Sequence, residues 1–105
     1  MDSQLKRGLL EVCVLAAIKK EDSYGYKIIK DISPYVEISE STLYPILKRL
    51  ESSDCITVYT MEHNSRLRKY YKITDGGIER IQAFLREWKS VMRAYEFIKE
   101  ECDYE

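Results

Sequence analysis

The sequence predicts a mainly helical α+β fold, in which three helices precede a β-hairpin and one long helix follows it. Apolar residues recur at helical spacing within 4–19, 24–32 and 39–51. Two alternating runs rich in β-branched and aromatic residues, 56–61 and 68–73, flank a polar tip. This order of elements is that of a winged helix-turn-helix.

The chain is expected to divide into a winged helix-turn-helix unit, residues 1–73, and a last segment, residues 74–105, made of a long helix and an acidic tail. The last segment carries a heptad seam, which is typical of helices that pack along their length. Its members follow one another at spacings of three and four residues and are Ile78, Ile81, Leu85, Trp88, Met92 and Tyr95.

Small polar residues mark the expected starts of the helices. Ser23 is expected to cap the second helix, Ser39 the third and Thr74 the last. Pro45 is best tolerated in a first turn, which favours a third helix whose regular part begins nearer 41–42.

Composition narrows the class of protein. The 105 residues fit one small domain, and no apolar run approaches the roughly 20 residues of a membrane span. The N-terminus lacks the layout of a secretory signal, so a cytoplasmic protein is expected. The net charge is −1, but residues 1–73 hold 12 Lys and Arg against 10 Asp and Glu, and residues 74–105 hold 5 against 8. The basic excess therefore belongs to the winged unit, as DNA contact would require.

Neither a metal site nor an enzyme is predicted. The cysteines Cys13, Cys55 and Cys102 are far apart and the only histidine is His63, so four ligands at zinc-site spacing are missing from the sequence. There is also no glycine-rich phosphate loop and no recognisable nucleophile–base pair. No cofactor is expected.

The third predicted helix has two chemically different faces. An apolar stripe, Leu43, Ile46, Leu47 and Leu50, is expected to face the core. The remaining surface carries hydroxyls, a phenol and cations, which suit a helix that lies in the DNA major groove. These residues are Ser41, Thr42, Tyr44, Lys48 and Arg49.

The hairpin adds further cations, which could neutralise DNA phosphates from a wing. Two plainer interpretations stay open: the helix is an ordinary amphipathic surface helix, and the wing cations lie on a solvated strand face. Arg49 could also fold back onto Glu37 or Glu51. The residues predicted to contact double-stranded DNA are Tyr24, Ser39, Ser41, Thr42, Tyr44, Lys48, Arg66, Arg68 and Lys69.

Three segments together resemble the PadR family of transcriptional regulators. They are SYGYKIIKDI at 23–32, ISESTLYPILKRLE at 38–51 and RLRKYYKIT at 66–74. The resemblance implies a winged-helix repressor that binds a pseudo-palindromic DNA operator as a homodimer. It covers the chain from Leu5 to about Ile98, and the short last segment resembles that of the small family members, with a single C-terminal helix.

The resemblance also implies that the last helix, helped by the first, forms the dimer. The second half of the first helix is apolar nearly all round, which favours burial against a second subunit. The residues expected at the dimer interface are Leu5, Leu9, Val12, Ile81, Leu85, Trp88, Met92 and Tyr95.

Trp88 has two interpretations. In small PadR-like drug sensors, a tryptophan at the matching position stacks on flat aromatic compounds between the subunits, which implies a small aromatic or hydrophobic effector here. Alternatively, Trp88 only fills the dimer core. The residues expected to line the ligand site are Trp88, Leu9, Val12, Cys13, Ala16, Phe84, Leu85 and Met92.

The sequence departs from the family pattern at two places. Asp54 stands where members often have glycine after the third helix, so that end is expected to differ in shape. The wing tip, 61–67, lacks the glycines common in the family. A second functional hypothesis also stays open: a winged-helix module that binds proteins and not DNA, with which the net charge of −1 is compatible.

Overall fold

The computed structural model describes residues 2–102 and contains four helices and one hairpin within that range. The predicted mainly helical winged-helix order is confirmed. The elements are α1 (Ser3–Lys20), α2 (Gly25–Ile32), α3 (Glu40–Ser52), β1 (Ile56–His63), β2 (Arg66–Ile73) and α4 (Asp75–Cys102). No helix within the described range is long and apolar enough to span a bilayer. The end of the expected acidic tail, 103–105, lies outside the described residues.

The core lies where α1, α2 and α3 meet under the base of the hairpin. The four stripe residues of α3 are at most 2% exposed, as predicted. Burying four such side chains stabilises the fold by roughly 6–12 kcal/mol before entropy is counted. They pack mainly against apolar residues of α1 and α2, which are Leu10, Val14, Leu15, Ile18, Ile28 and Ile32.

Ser23 does not cap α2, so that prediction was wrong. Tyr24 occupies the N-cap position without a side-chain hydrogen bond, and the helix begins at Gly25. Ser23 is instead fully buried and forms an antiparallel bridge with Tyr71 of β2, through backbone hydrogen bonds of 3.1 and 2.7 Å. The segment before α2 is thereby tied to the wing.

The third helix starts earlier than its proline suggested. Its first residue is Glu40, and the Ser39 carbonyl accepts hydrogen bonds from the amides of Thr42 and Leu43. Ser39 is at the N-cap, as predicted, but its side chain makes no capping bond. Pro45 lies inside the helix, where it leaves the Ser41 carbonyl without its helical donor. Both residues are exposed, so water can satisfy that carbonyl.

The end of α3 has the shape that glycine usually provides, contrary to the expectation from Asp54. Asp54 adopts a left-handed conformation with φ of 59°. Its amide donates to the Glu51 carbonyl, and the Cys55 amide donates to that of Leu50 at 2.9 Å. This pair of bonds is a Schellman motif.

The wing is longer and its turn tighter than the sequence indicated. β1 and β2 pair antiparallel from Ile56 opposite Ile73 to His63 opposite Arg66. Only Asn64 and Ser65 remain in the turn, and both have positive φ, as a type I′ turn requires. Asparagine therefore supplies part of the left-handed backbone that glycine would otherwise provide.

The start of α4 is held against the end of α3. The Thr74 hydroxyl donates to the Asp54 carbonyl at 2.6 Å and accepts from the Gly77 amide at 3.2 Å, which confirms Thr74 as a cap. Gly77 is buried, and a β-carbon there would overlap the Cys55 carbonyl oxygen and the Ile73 side chain.

One half-buried carboxylate joins three helices. Glu11 of α1, with its side chain 17% exposed, lies 3.2 Å from the Arg49 Nε of α3 and 3.6 Å from Arg80 of α4. Arg7 approaches the same carboxylate at 3.7 Å. Arg49 does fold back, but onto Glu11 and not onto Glu37 or Glu51.

Replacing Gly77 with alanine should destabilise the protein, because the new methyl group meets backbone that cannot move aside. We expect Gly77→Ala to lower the free energy of unfolding by about 1–3 kcal/mol in urea denaturation. Gly8→Ala is the matched control, since nothing lies within 4 Å of a β-carbon at that helical position. It should be neutral or stabilising by up to about 1 kcal/mol. Equal stability of the two variants would contradict this packing.

Candidate nucleic-acid interface

The N-terminus of α2, the exposed face of α3 and the wing form one continuous surface. A groove of about 520 Å³ runs between them, lined by Tyr24, Gly25, Tyr26, Tyr44, Arg68, Lys69 and Tyr71. A second groove, of about 380 Å³, continues along α3. It shares Tyr44, Lys69 and Tyr71 with the first and adds Leu47, Lys48, Glu51 and Val58. Five residues predicted to contact DNA thus border one surface: Tyr24, Tyr44, Lys48, Arg68 and Lys69.

Three hydroxyls gather at the start of α3. The Ser39 Oγ lies 3.0 Å from the Ser41 Oγ and 3.2 Å from the Thr42 Oγ1, and all three residues are exposed. The two bonds use two of the three O–H donors, which leaves one donor and several acceptor lone pairs facing solvent. The amides of Glu40 and Ser41, which precede the first helical hydrogen bond, add further donors. This corner can hydrogen-bond an anion such as phosphate.

Arg66 is placed apart from the α3 surface. It lies beside the wing turn and lines a separate pocket of about 390 Å³ with His63, Asn64, Leu67 and Arg68. Leu67 is 78% exposed there. The sequence placed His63 and Leu67 only in a polar tip. The alternation of β2 puts Leu67 on the same face as the buried Tyr71, so Leu67 is exposed because it lies at the far end of the hairpin, beyond the core.

Tyrosine rings connect the wing to the start of α2. The Arg68 guanidinium carbon lies 3.9 Å above the centroid of the Tyr24 ring. Tyr70 meets Tyr24 edge-on and stacks on Tyr59, with centroid distances of 5.6 Å in each case. The Tyr59 hydroxyl donates to the Asp22 carboxylate at 2.7 Å, and this hydrogen bond, with partial burial, raises the pKa of Tyr59.

Tyr44 packs directly over Gly25. A β-carbon at Gly25 would overlap the Tyr44 hydroxyl, so a larger residue there would displace the Tyr44 ring from this contact between α3 and α2. Tyr44 remains about half exposed, with its outer edge in both grooves.

The cations on this surface are not engaged in ion pairs. Within residues 2–102, the salt bridges involve Arg7, Lys27, Arg49 and Arg80 as the basic partners. Lys27 is held by Asp31 and Glu21, whose hydrogen bonds raise the pKa of Lys27. The wing and α3 cations Lys48, Arg66, Arg68 and Lys69 are thus available to a negatively charged partner.

The residues predicted for a dimer and a ligand site are only partly brought together in the single chain. Trp88 is half-buried and packs against Phe84, with ring centroids 5.8 Å apart, whereas Ile81 packs on the core of its own chain. Cys13 and Ala16 lie on a different pocket, of about 260 Å³, with Ala17, Asp31, Ile32 and Tyr35. The remaining predicted members are half-buried or exposed on α1 and α4: Leu5, Leu9, Val12, Leu85, Met92 and Tyr95.

Comparison with known proteins agrees with this architecture. A solved structure from Streptococcus mutans UA159 is 42% identical, with a TM-score of 0.80 over 90% of this chain and 89% of that one. A PadR-like transcriptional regulator from Bacillus cereus ATCC 14579 is 31% identical, with a TM-score of 0.78 over 91% and 96%. An uncharacterized protein of Lysinibacillus sphaericus is 33% identical over 93% of this chain and 94% of its own.

The family model that matches is that of the PadR-like transcriptional regulators, and it matches residues 14–83. That range holds α2, α3 and the wing in full, together with the end of α1 and the start of α4. The chain therefore belongs to the PadR-like family of transcriptional regulators.

Proposed function

We propose that this transcriptional regulator is a homodimeric repressor that binds a pseudo-palindromic operator in double-stranded DNA. One observation carries the proposal: the unpaired cations and the exposed hydroxyls of α3 and the wing border one surface. Such a surface matches the regular negative charge of a DNA backbone. Since a transcriptional regulator works where the DNA is, the proposal also supports the cytoplasmic location expected from the sequence.

In this proposal α3 lies in the major groove and the wing follows the backbone beside it. Ser41, Thr42, Tyr44 and Lys48 reach base edges or phosphate oxygens from the exposed face of α3. Arg68 and Lys69 neutralise phosphates from the wing. Arg66, at the far end of the hairpin, reaches the backbone or the adjacent minor groove.

The dimer is proposed to form through α4, because this helix exposes an apolar stripe. Leu85, Met92, Tyr95 and Ile98 are each between 48% and 60% exposed. The described chain measures 62 Å along its longest axis, since α4 extends beyond the winged domain. An apolar stripe on a projecting helix is a typical interface between subunits. Two α3 helices would then lie about one DNA turn, roughly 34 Å, apart.

We further propose that a small aromatic or hydrophobic effector releases the repressor from DNA. Trp88 supports an effector site at the dimer. Its indole is half-buried on the α4 stripe and is tilted against Phe84, with ring centroids 5.8 Å apart, so part of the ring stays exposed. A flat ligand that stacks on Trp88 between subunits would favour one spacing of the two DNA-binding domains. The DNA is released if the ligand binds the spacing that misfits the operator more tightly, by a few kcal/mol, than the spacing that fits it.

Removing the Lys48 charge should weaken DNA binding without unfolding the chain. We expect Lys48→Ala to raise the Kd for the DNA upstream of its own gene at least about tenfold, with a shallower dependence on salt. Fluorescence anisotropy of labelled DNA at several salt concentrations measures both. Arg86→Ala removes an equal charge from an exposed position of α4 and should bind like wild type. An equal loss of DNA affinity in the two variants would contradict the proposed interface. So would a regulator that binds no DNA and instead binds a protein partner with an affinity that does not depend on salt.

Ligand binding at the dimer can be read from Trp88, the only tryptophan in the chain. We expect planar acridine and naphthalene derivatives to quench its fluorescence at micromolar concentration and to release the labelled DNA. Free N-acetyltryptophanamide corrects for collisional and inner-filter effects. If no compound in a broad panel quenches beyond that control, Trp88 only packs the dimer.

A further inference from the structure

We infer that Tyr24 is a positioning residue, which holds the Arg68 guanidinium ready for a DNA phosphate and does not itself provide the main contact. The inference rests on the proposed DNA-binding function, and it assigns to two of the predicted contact residues different roles. Arg68 touches the nucleic acid, whereas Tyr24 acts through Arg68. The sequence could not separate these roles, because the two residues are 44 positions apart.

Arg68 is held in a way that leaves its hydrogen-bond donors free. Its guanidinium lies 3.9 Å above the Tyr24 ring, so the attraction acts through the flat face of the cation. The N–H groups point outward from the edge of that plane and stay free for an acceptor. Within residues 2–102 no carboxylate forms a salt bridge with Arg68, unlike Arg49, which is held by Glu11.

Tyr24 is itself fixed from two sides. Tyr70 packs edge-on against it, Tyr59 stacks behind Tyr70, and the Tyr59 hydroxyl is anchored on Asp22. The backbone bridge between Ser23 and Tyr71 fixes the neighbouring main chain. The ring that holds Arg68 is thus tied to both the wing and the segment before α2.

Holding Arg68 in place before DNA arrives lowers the entropic cost of binding. An arginine that is free in solution loses side-chain freedom when it binds a phosphate, and this loss weakens binding. An arginine that is already stacked in the binding orientation has lost part of that freedom during folding. Lys69, the next residue, is exposed and has no such ring partner in the described chain. The two wing cations therefore offer an internal comparison.

The test is a double-mutant cycle in which binding to labelled upstream DNA is measured by anisotropy. Tyr24→Leu keeps an apolar side chain but removes the ring, and should weaken binding about tenfold for a dimer, which loses two cation–π contacts. Tyr24→Phe keeps the ring and should restore most of the affinity. In an Arg68→Ala background, Tyr24→Leu should weaken DNA binding little further. In a Lys69→Ala background, Tyr24→Leu should weaken DNA binding by the same factor as in wild type. A melting curve of each variant confirms that it is folded.

A second readout does not depend on DNA. In wild type and Tyr24→Phe, ring currents should shift the Arg68 Nε–H resonance upfield, and Tyr24→Leu should abolish the shift. Additive losses of Tyr24→Leu and Arg68→Ala, or an unshifted Arg68 resonance in wild type, would overturn the positioning role. If wild type shows the shift but does not bind DNA, the proposed function itself fails.

Discussion

Burial of one face of α3 is the constraint on which the rest of the structure depends. Leu43, Ile46, Leu47 and Leu50 can be buried together only if that side of the helix faces α1 and α2. Helical geometry then directs Ser41, Tyr44 and Lys48 to the solvent. The same hydrophobic contacts that stabilise the domain thus decide which polar groups are displayed.

The wing depends on the helices for its stability. A two-stranded hairpin is marginal alone in water, so it needs packing against another element. Here the base of β1 is buried, and β2 is joined to Ser23 by the backbone bridge. The tyrosine stack continues this attachment along the hairpin. The wing cations consequently have a defined position relative to α3, as simultaneous contact with a groove and its neighbouring backbone requires.

The fold was largely predictable because its signals are local. The spacing of the apolar residues predicted four helices and two strands. Thr74 was correctly predicted as the cap of α4. The errors lie where tertiary contacts override local preference. Ser23 is a good N-cap residue, but the β-bridge to Tyr71 recruits its backbone. Asp54 and Asn64 adopt left-handed angles that the sequence reasoning reserved for glycine.

The sequence predicted which residues border the candidate site but not which of them contact one another. Exposed polar residues of α3 follow from its apolar stripe, and the wing cations follow from their place in the predicted hairpin. The pairing of Arg68 with Tyr24 joins residues far apart in the sequence, and the partner of Arg49 proved to be Glu11, 38 residues away. Contacts of this kind are set by the packing of whole elements, which no local pattern encodes.

The central claim is that two copies present two reading helices to one duplex at a fixed separation. Hydroxyl-radical footprinting on the DNA upstream of the gene tests it most directly. We expect two protected patches on one face of the DNA helix, related by two-fold symmetry and centred about one turn, ~10 base pairs, apart. A single unsymmetrical patch, or uniform cleavage at protein concentrations that saturate any binding, would contradict it.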